Sequence, residues 1–557
     1  RDRGIGMTAD EIDKYINQIA FSGAEEFVQQ YKGKEGAEQI IGHFGLGFYS
    51  AFMVAERVQI KTLSRHEGSQ AVQWESNGSP EYTLTEIEKA DRGTDIILYI
   101  NEESIEFLEK ERIGGIINKY CKFLPIPVIF GKEKTTQDDP SGEKDEEGNV
   151  KQIEVEVERQ VNNVSPAWTK APADLSDEDY KSFYRELYPM TFEDPLFHIH
   201  LNVDYPFNLT GVLFFPKIKE NVEVQRNKIQ LYCNQVFITD SVADIVPDFL
   251  TLLHGVIDSP DIPLNVSRSY LQSDGNVKKI SNYITRKVAD KLKSLFNENR
   301  EDFEQKWNDI KIVLEYGMLS EPKFYEKAGD FVLYPTVDDK FFTLVELKEK
   351  LAANQTDKNG KLVVLYASNK EAQHGYIDIA KEKGYEVLLL DSPIVSHLIQ
   401  KLEADNENLT FARVDADHID KLIQKEEETI SKLSDDEKEK LKTSIETMVP
   451  KENYTVQLEN LDSNASPFII TQPEFMRRMK EMSATGGGGM FGMGNFPDMY
   501  NLVVNTNSEL ATTILNSPED AQKDLVKQAL DLAKLSQGLL KGEELTAFVK
   551  RSFETLK

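Results

Sequence analysis

Two short glycine-containing segments near the start of the chain have the residue types that could line a nucleotide pocket. They are Asp2-Arg3-Gly4-Ile5-Gly6-Met7 and Gly42-His43-Phe44-Gly45-Leu46-Gly47, and Gly93-Thr94 follows in a strand-like run. Glycine lets the backbone approach a ligand closely, and Asp2 adds a carboxylate acceptor. The second segment leads into the apolar residues 48–55, so its amides are predicted at a helix N-terminus, where the helix dipole favours phosphate.

Each segment alone is a weak signal. A Gly-x-x-Gly-x-Gly run is more often a loop than a phosphate site, and Asp-x-Gly-x-Gly is also ordinary turn chemistry. The Lys-Ser/Thr ending of a P-loop is missing, and the βαβ context of a dinucleotide site fits poorly. The prediction therefore depends on the order and spacing of all three segments.

In that order the segments resemble the nucleotide-binding boxes of the ATPase superfamily that contains gyrase, histidine kinases, MutL and the ninety-kilodalton heat-shock chaperones. Longer runs resemble the chaperone branch, namely residues 19–23, 41–52 and 263–268. Trp168-Thr169-Lys170 resembles the start of that family's middle domain. The chain is therefore similar to the bacterial members of this family over nearly its whole length.

The resemblance implies a role for individual residues. Asp2 would accept a hydrogen bond from the adenine amino group, in a base pocket lined by Gly6, Met7 and Thr94. Arg268 would reach the γ-phosphate, a task suited to a permanently charged guanidinium, with Gln272 as its helper. The further nucleotide-binding positions that the resemblance implies are Gly4, Ser22, Gly23, Gly42, Gly45, Gly47 and Phe48. ATP and a magnesium ion are the implied cofactors, and no protein ligand of a metal is assigned.

The same resemblance implies an ATPase that acts as a molecular chaperone. A dimer would close on ATP like a clamp and remodel unfolded or partly folded client proteins. The family's general-base glutamate and magnesium-binding asparagine lie upstream of the first segment, whereas this chain begins at Arg1. We therefore expect the hydrolytic residues to precede Arg1, and a client-binding dimer scaffold that does not hydrolyse ATP remains the alternative for the chain as given.

Composition limits the other functions. Across 557 residues the net charge is −30, which opposes binding to duplex DNA or to an anionic membrane without a local basic face. A DNA-handling relative of gyrase or MutL is disfavoured by that charge and by Arg268 in place of a catalytic lysine. A histidine kinase is disfavoured because over 400 residues follow Thr94. We expect a cytoplasmic protein in which Cys121 and Cys233 are thiols.

Three domains are predicted for a chain of this length. Residues 1–130 would form a truncated α/β sandwich of the superfamily's ATPase type, and residues 131–151, which are charged and contain little apolar surface, a solvated linker. Residues 152–425 would form an α/β middle domain, and residues 426–557 an α+β dimerisation domain. The fold class is thus α+β and α/β multidomain. The final helical pair would form the homodimer, although a local core explains its apolar stripe equally well.

Two further patterns could contact ligands. His198 and His200 would share one face of a strand, but the absence of a suitably spaced third ligand favours two ordinary strand residues over a metal site. The Gly/Met-rich residues 486–496 are either an adaptable client surface or a loop, and an exposed Trp168 is a second candidate for client contact. The C-terminus lacks an acidic Met-Glu-Glu-Val-Asp tail, so co-chaperones that read such a tail are not expected.

Overall fold

Helices and strands occur throughout the part of the chain that the computed structural model describes, residues 1–18, 47–138, 152–217, 228–242, 245–262, 275–425, 429–485 and 498–555. The chain forms two compact units. One comprises residues 1–247 and 251–284, and the other residues 248–250 and 285–557. Both contain sheets and helices, so the mixed α and β content that the sequence predicts is present in each unit.

The bounds of the elements are as follows. The helices are α1 (Ala9–Tyr15), α2 (Lys110–Tyr120), α3 (Asp177–Leu187), α4 (Gly275–Glu298), α5 (Arg300–Ser320), α6 (Pro322–Ala328), α7 (Leu344–Leu351), α8 (His374–Glu382), α9 (Val395–Ala404), α10 (Ile419–Leu422), α11 (Asp435–Glu446), α12 (Glu474–Thr485), α13 (Glu509–Asn516), α14 (Glu519–Ser536) and α15 (Gly542–Thr555). The strands are β1 (Ala55–Leu63), β2 (Ala71–Ser76), β3 (Tyr82–Ile87), β4 (Gly93–Ile100), β5 (Ile129–Asp138), β6 (Gln152–Gln160), β7 (Phe197–Val203), β8 (Leu209–Phe215), β9 (Ile229–Cys233), β10 (Val236–Thr239), β11 (His254–Asp258), β12 (Tyr334–Pro335), β13 (Phe341–Phe342), β14 (Leu362–Ala367), β15 (Val387–Leu389), β16 (Leu409–Arg413), β17 (Tyr454–Glu459), β18 (Phe468–Thr471) and β19 (Tyr500–Asn505). Short 3₁₀ helices span Gly47–Met53, Glu102–Leu108, Ala167–Thr169, Pro172–Asp174 and Asp248–Leu252.

The first sheet is antiparallel, with the strand order β3-β2-β1-β4. Helix α1 begins at the predicted capping box, in which Thr8 and Glu11 each accept the other's backbone N–H. Ile12 of that helix packs with apolar side chains of β1 and β2. The β-rich runs 58–63, 71–75 and 95–100 predict strands that coincide with β1, β2 and β4, whereas β3 is largely exposed and was not predicted.

The second sheet has the strand order β10-β9-β11-β8-β7, and the aromatic face of α3 packs on it. The sequence predicts one strand over residues 229–238, but the chain turns there at Asn234 and Gln235, whose φ values are +50° and +63°. Trp168 belongs to this core and is 1% exposed. The expectation of an exposed Trp168 that contacts clients is therefore wrong, because Phe123, Phe183 and Tyr232 cover its ring.

Residues 131–138 belong to a strand. Strands β5 and β6 form a two-stranded antiparallel ladder with Lys132 opposite Glu158 and Thr136 opposite Glu154. The prediction of a linker over 131–151 is wrong for residues 131–138, because their backbone pairs with β6 and oppositely charged side chains such as Lys132 and Glu158 face each other across the ladder. The rest of that range lies outside the described residues.

The other unit contains a parallel sheet with the strand order β15-β14-β16. The strand-like runs 361–366 and 386–390 predict a βαβ unit, and helix α8, which connects the parallel strands β14 and β15, confirms it. Another sheet of this unit places β19 between β17 and β18. Helices α14 and α15 form the predicted closing pair, which is held together by ion pairs of Lys534 with Glu544 and of Arg551 with Asp531.

Candidate functional site

The first glycine segment lies against the beginning of β4. Asp2 N–H donates to the Thr94 carbonyl at 2.8 Å, and Gly4 N–H donates to Asp2 Oδ1 at 2.7 Å. Thr94 N–H also donates to Asp2 Oδ1, at 3.4 Å. The structure therefore brings together Asp2, Gly4 and Thr94, which the sequence predicts to share a pocket. Asp2 is exposed, and one of its carboxylate oxygens holds the segment to the sheet.

Two glycines make this close approach possible. Gly6 has φ of +62°, and a Cβ atom there would lie 1.9 Å from the Leu63 carbonyl oxygen. Gly93 has φ of +111°, and its Cβ atom would lie 2.2 Å from the Asp2 carbonyl oxygen. Neither position has room for a side chain. The glycines act here by fitting the segment against β1 and β4.

A buried threonine that the sequence analysis did not select connects the parts of this site. Thr62 Oγ1 accepts the Met7 N–H at 2.9 Å and lies 3.0 Å from Thr94 Oγ1. Thr62 is fully buried on β1. A threonine in an apolar strand is the only signal that the sequence carries, and it does not distinguish this residue from other strand threonines. Met7 itself packs at the edge of the apolar core around Trp74.

The second glycine segment ends in a 3₁₀ helix and not in an α-helix. This helix spans Gly47–Met53, and the chain enters β1 at Ala55. The predicted α-helix over residues 48–55 is therefore wrong, because the run ends with a Val54 N–H to Ala51 carbonyl bond and turns into a strand. The Phe48 ring contacts Trp74, with 5.7 Å between ring centroids, so its side chain serves the core of the first sheet.

The remaining predicted site residues lie outside the described part of the chain. They are Ser22, Gly23, Gly42, Gly45, Arg268 and Gln272. The Gly/Met-rich residues 486–496 also lie outside it. The predicted roles of these residues stay predictions. What the structure describes is the side of the site where the base is predicted to bind.

The paired histidines have a structural explanation. Tyr180 stacks on His198 with 3.6 Å between ring centroids, and its hydroxyl lies 2.8 Å from His200 Nδ1. Burial lowers the pKa of His200. Within the described ranges no group of three or more His, Cys, Asp or Glu side chains could hold a metal ion. The sequence predicts two buried thiols; both cysteines are thiols, but each is only partly buried, and burial raises the pKa of Cys121.

Comparison with known proteins identifies the family. The sequence model of the family described as "Hsp90 protein" matches residues 106–543. The chain belongs to the Hsp90 family. This match covers more than half of the chain, and it confirms the resemblance drawn from the short motifs.

The relatives of this Hsp90-family chain include bacterial proteins named "Chaperone protein HtpG". One from Porphyromonas gingivalis W83 is 53% identical over 546 residues, which cover 98% of this chain and 77% of the relative. One from Bacteroides fragilis 638R is 48% identical over an alignment that covers all of this chain and 89% of the relative. A more distant one from Idiomarina loihiensis is 32% identical.

These comparisons establish an Hsp90-type molecular chaperone, similar to bacterial HtpG. Hsp90 proteins are ATP-binding chaperones with ATPase activity. In the described residues no helix has the length and apolar character needed to cross a bilayer.

Proposed function

We propose that this chain is a cytoplasmic, ATP-dependent chaperone that works as a homodimeric clamp. Closure of the clamp on ATP would change its grip on unfolded or partly folded client proteins, and hydrolysis would reset it. The observation that supports this proposal most directly is the arrangement of Asp2, Gly4 and Thr94 in a chain of the Hsp90 family. The proposed units are an ATPase domain over residues 1–130, a middle domain over 152–425 and a dimerisation domain over 426–557.

The chemistry of the described site fits an adenine base. Asp2 Oδ1 accepts two backbone N–H groups, which fixes the carboxylate and leaves its second oxygen for an exocyclic amine. Met7 offers apolar contact beside it. Asp2, Gly6, Met7 and Thr94 would thus hold the base, and bound ATP would supply a phosphoanhydride for hydrolysis.

The phosphate end of the nucleotide would be held by residues outside the described ranges. These are Gly42, Gly45, Arg268 and Gln272, together with Ser22 and Gly23. The backbone of Gly47 and Phe48, which the structure does describe, would contribute to the same end of the site. A guanidinium at Arg268 would stabilise charge that develops on the phosphoryl oxygens. The described residues supply no acidic cluster for magnesium, so no step is assigned to that ion through them.

The C-terminal helical pair supports the proposal of a homodimer. Leu532 and Leu535 on α14, and Val549 and Phe553 on α15, are between 42% and 64% exposed. Exposed leucine and phenylalanine on paired helices are suited to association with a second copy. Co-chaperones that read an acidic tail are not among the proposed partners.

The test of the nucleotide site is calorimetric titration of the full chain with ADP. We expect Asp2→Asn to weaken binding about tenfold or more, because the asparagine Oδ1 would keep the backbone contacts and turn an amide donor toward the adenine amino group. Asp10→Asn is the matched control, since Asp10 is exposed on α1. Equal affinities for the wild type and Asp2→Asn would refute the proposed base contact.

The chaperone cycle requires a second measurement. We expect the wild type to suppress aggregation of a heat-denatured model protein in a way that depends on added ATP, and Arg268→Ala to remove that dependence. If suppression of aggregation is the same with and without ATP in both proteins, the result would instead support the scaffold alternative.

A further inference from the structure

A polar cleft lies at the carboxyl edge of the parallel sheet. Along the chain β14 is followed by β15 and then by β16, whereas in the sheet β14 lies between the other two strands. The connections after β14 and β15 therefore lead to opposite sides of β14, and the crevice beyond the ends of β14 and β16 is a topological switch point. Such crevices are the usual ligand sites of open parallel sheets.

The walls of the cleft come from several elements. The cleft is open to solvent and has a volume of about 200 Å³, which is room for a small anionic group. One wall is formed by the residues that follow β14 and β16, and the facing wall by the end of β18, the beginning of β19 and the residues after α14. The lining residues used below are Ser368, Gln373, Arg413, Asp415, Thr471 and Gln472.

Gln373 is held in one orientation and has unused donors. Its Oε1 accepts N–H groups from Ser368 at 2.8 Å and from Asn369 at 3.0 Å. These contacts fix which end of the carboxamide is the oxygen. Its Nε2 is buried and has no hydrogen-bond partner among the described residues, in a side chain whose residue is only 5% exposed. Two N–H donors of a buried amide are thus unsatisfied at the cleft.

A second unsatisfied group lines the same cleft. Thr471 is 1% exposed, and within the described ranges its Oγ1 has no hydrogen-bond partner. An unsatisfied buried polar group is destabilising, and native proteins contain few of them. A polar group that enters the cleft far enough to reach these two atoms would satisfy both of them.

The hydrogen-bond donors of the cleft, and not its net charge, favour a ligand that accepts hydrogen bonds, because the Arg413 guanidinium already faces the carboxylates of Asp415 and Glu481. Arg413 donates from Nε to Asp415 Oδ1 at 2.5 Å and from Nη2 to Asp415 Oδ2 at 2.8 Å, so the carboxylate is already neutralised. Gln472 Oε1 also accepts from Arg413, at 2.8 Å. Helix α8 starts directly after Gln373 and has no side-chain cap, so the positive end of its dipole adds to the donors.

We propose that this cleft binds a small molecule through a carboxylate or phosphate group. The oxyanion would accept hydrogen bonds from Gln373 Nε2 and Thr471 Oγ1, beside the Arg413 guanidinium. Ordered water is the competing occupant, because water also satisfies buried polar groups. A titration distinguishes the two occupants, because only the oxyanion is added as a solute and can show saturable binding.

The test is isothermal titration calorimetry of the full chain with inorganic phosphate and, separately, with succinate, at an ionic strength held constant with chloride. We expect saturable binding of at least one of them, and the responding probe assigns the phosphoryl or carboxylate class. Gln373→Glu keeps the acceptor for Ser368 and Asn369 but replaces both donors with negative charge, so binding should weaken about tenfold or more. Thr471→Val, which is nearly isosteric, should weaken it about threefold or more.

Matched controls separate this cleft from other anion sites. Gln424→Glu and Thr455→Val make the same chemical changes at exposed positions outside the cleft and should bind as the wild type does. Circular dichroism of each variant verifies folding. The proposal is overturned if the wild type binds neither probe, or if Gln373→Glu and Thr471→Val both bind as tightly as the wild type.

Discussion

Gly6 lies where the predicted nucleotide-binding segment touches β1, and its lack of a side chain is a steric requirement. Its φ is positive, and a Cβ atom would overlap the Leu63 carbonyl. Gly68 also has positive φ, +79°, but nothing lies within 4 Å of the position of its Cβ atom. Replacing each of the two glycines with alanine therefore separates the cost of an unfavourable backbone conformation from the cost of a steric overlap with the Leu63 carbonyl.

We predict that Gly6→Ala lowers the thermal midpoint and weakens ADP binding, whereas Gly68→Ala costs only the conformational term of about 1–2 kcal/mol. Differential scanning fluorimetry and ADP titration of both variants check this prediction. Similar decreases in thermal midpoint and in ADP affinity for the two variants would show that the overlap with the Leu63 carbonyl adds no measurable cost.

Glu315 on α5 predicts a dependence of stability on pH. Burial raises its pKa from 4.5 to about 7, and its Oε2 has no hydrogen-bond partner in the described part of the chain. The folded state thus binds the proton more tightly than the unfolded state does. Its stabilising contribution is fully present below pH 4.5 and is lost as the pH rises toward and through about 7.

We predict that Glu315→Gln, which is neutral at every pH, gains stability relative to the wild type as the pH rises from 5 to 8. The gain approaches about 3 kcal/mol. Urea unfolding at several pH values measures the difference between the two proteins. Glu326→Gln changes a less buried glutamate and serves as the control; a wild type that tracks Glu315→Gln at all pH values would contradict the prediction.

At the scale of elements, residue type alone predicts neither the burial of Trp168 nor the exposure of Phe192. Trp168 is buried and donates from Nε1 to Asp258 Oδ2 at 3.1 Å, whereas Phe192 is 95% exposed. We predict that Trp168→Ala destabilises its unit by about 3–5 kcal/mol and that Phe192→Ala changes stability by less than about 0.5 kcal/mol. Urea unfolding followed by circular dichroism makes the comparison; equal stabilities would mean that the aromatic cluster is not a core.

Many elements of the fold follow from the sequence, and the exceptions share a cause. The apolar residues of β7, which alternate with polar ones, and the continuous apolar run of β14 both predict buried strands. β3 and β5 were missed because β3 is largely exposed and the charged residues of β5 resemble a loop in composition. In the candidate site Asp2 and Thr94 were predicted from motif order, whereas Thr62 depends on a cross-strand contact that no local pattern encodes.

At the scale of the whole molecule, the proposed homodimer depends on the C-terminal helical pair. We predict that Leu532→Asp converts a dimer to a monomer, because a carboxylate at a half-exposed apolar position would have to be desolvated in the interface. Ile430→Asp makes the same change at an 87% exposed residue in another part of the chain and should leave the dimer intact. Sedimentation velocity distinguishes these species. A monomeric wild type would refute the proposal.

The order of strands in the sheet formed by β17, β19 and β18 has a consequence for synthesis of the protein on the ribosome. β19 lies between β17 and β18, yet it is the last of the three to be translated. At about 5–20 residues per second, the apolar strand β18 emerges seconds before the strand that pairs with it. During that interval the apolar residues of β18 lack their partner strand. The nascent chain therefore has to shield them by local collapse or with the help of another chaperone.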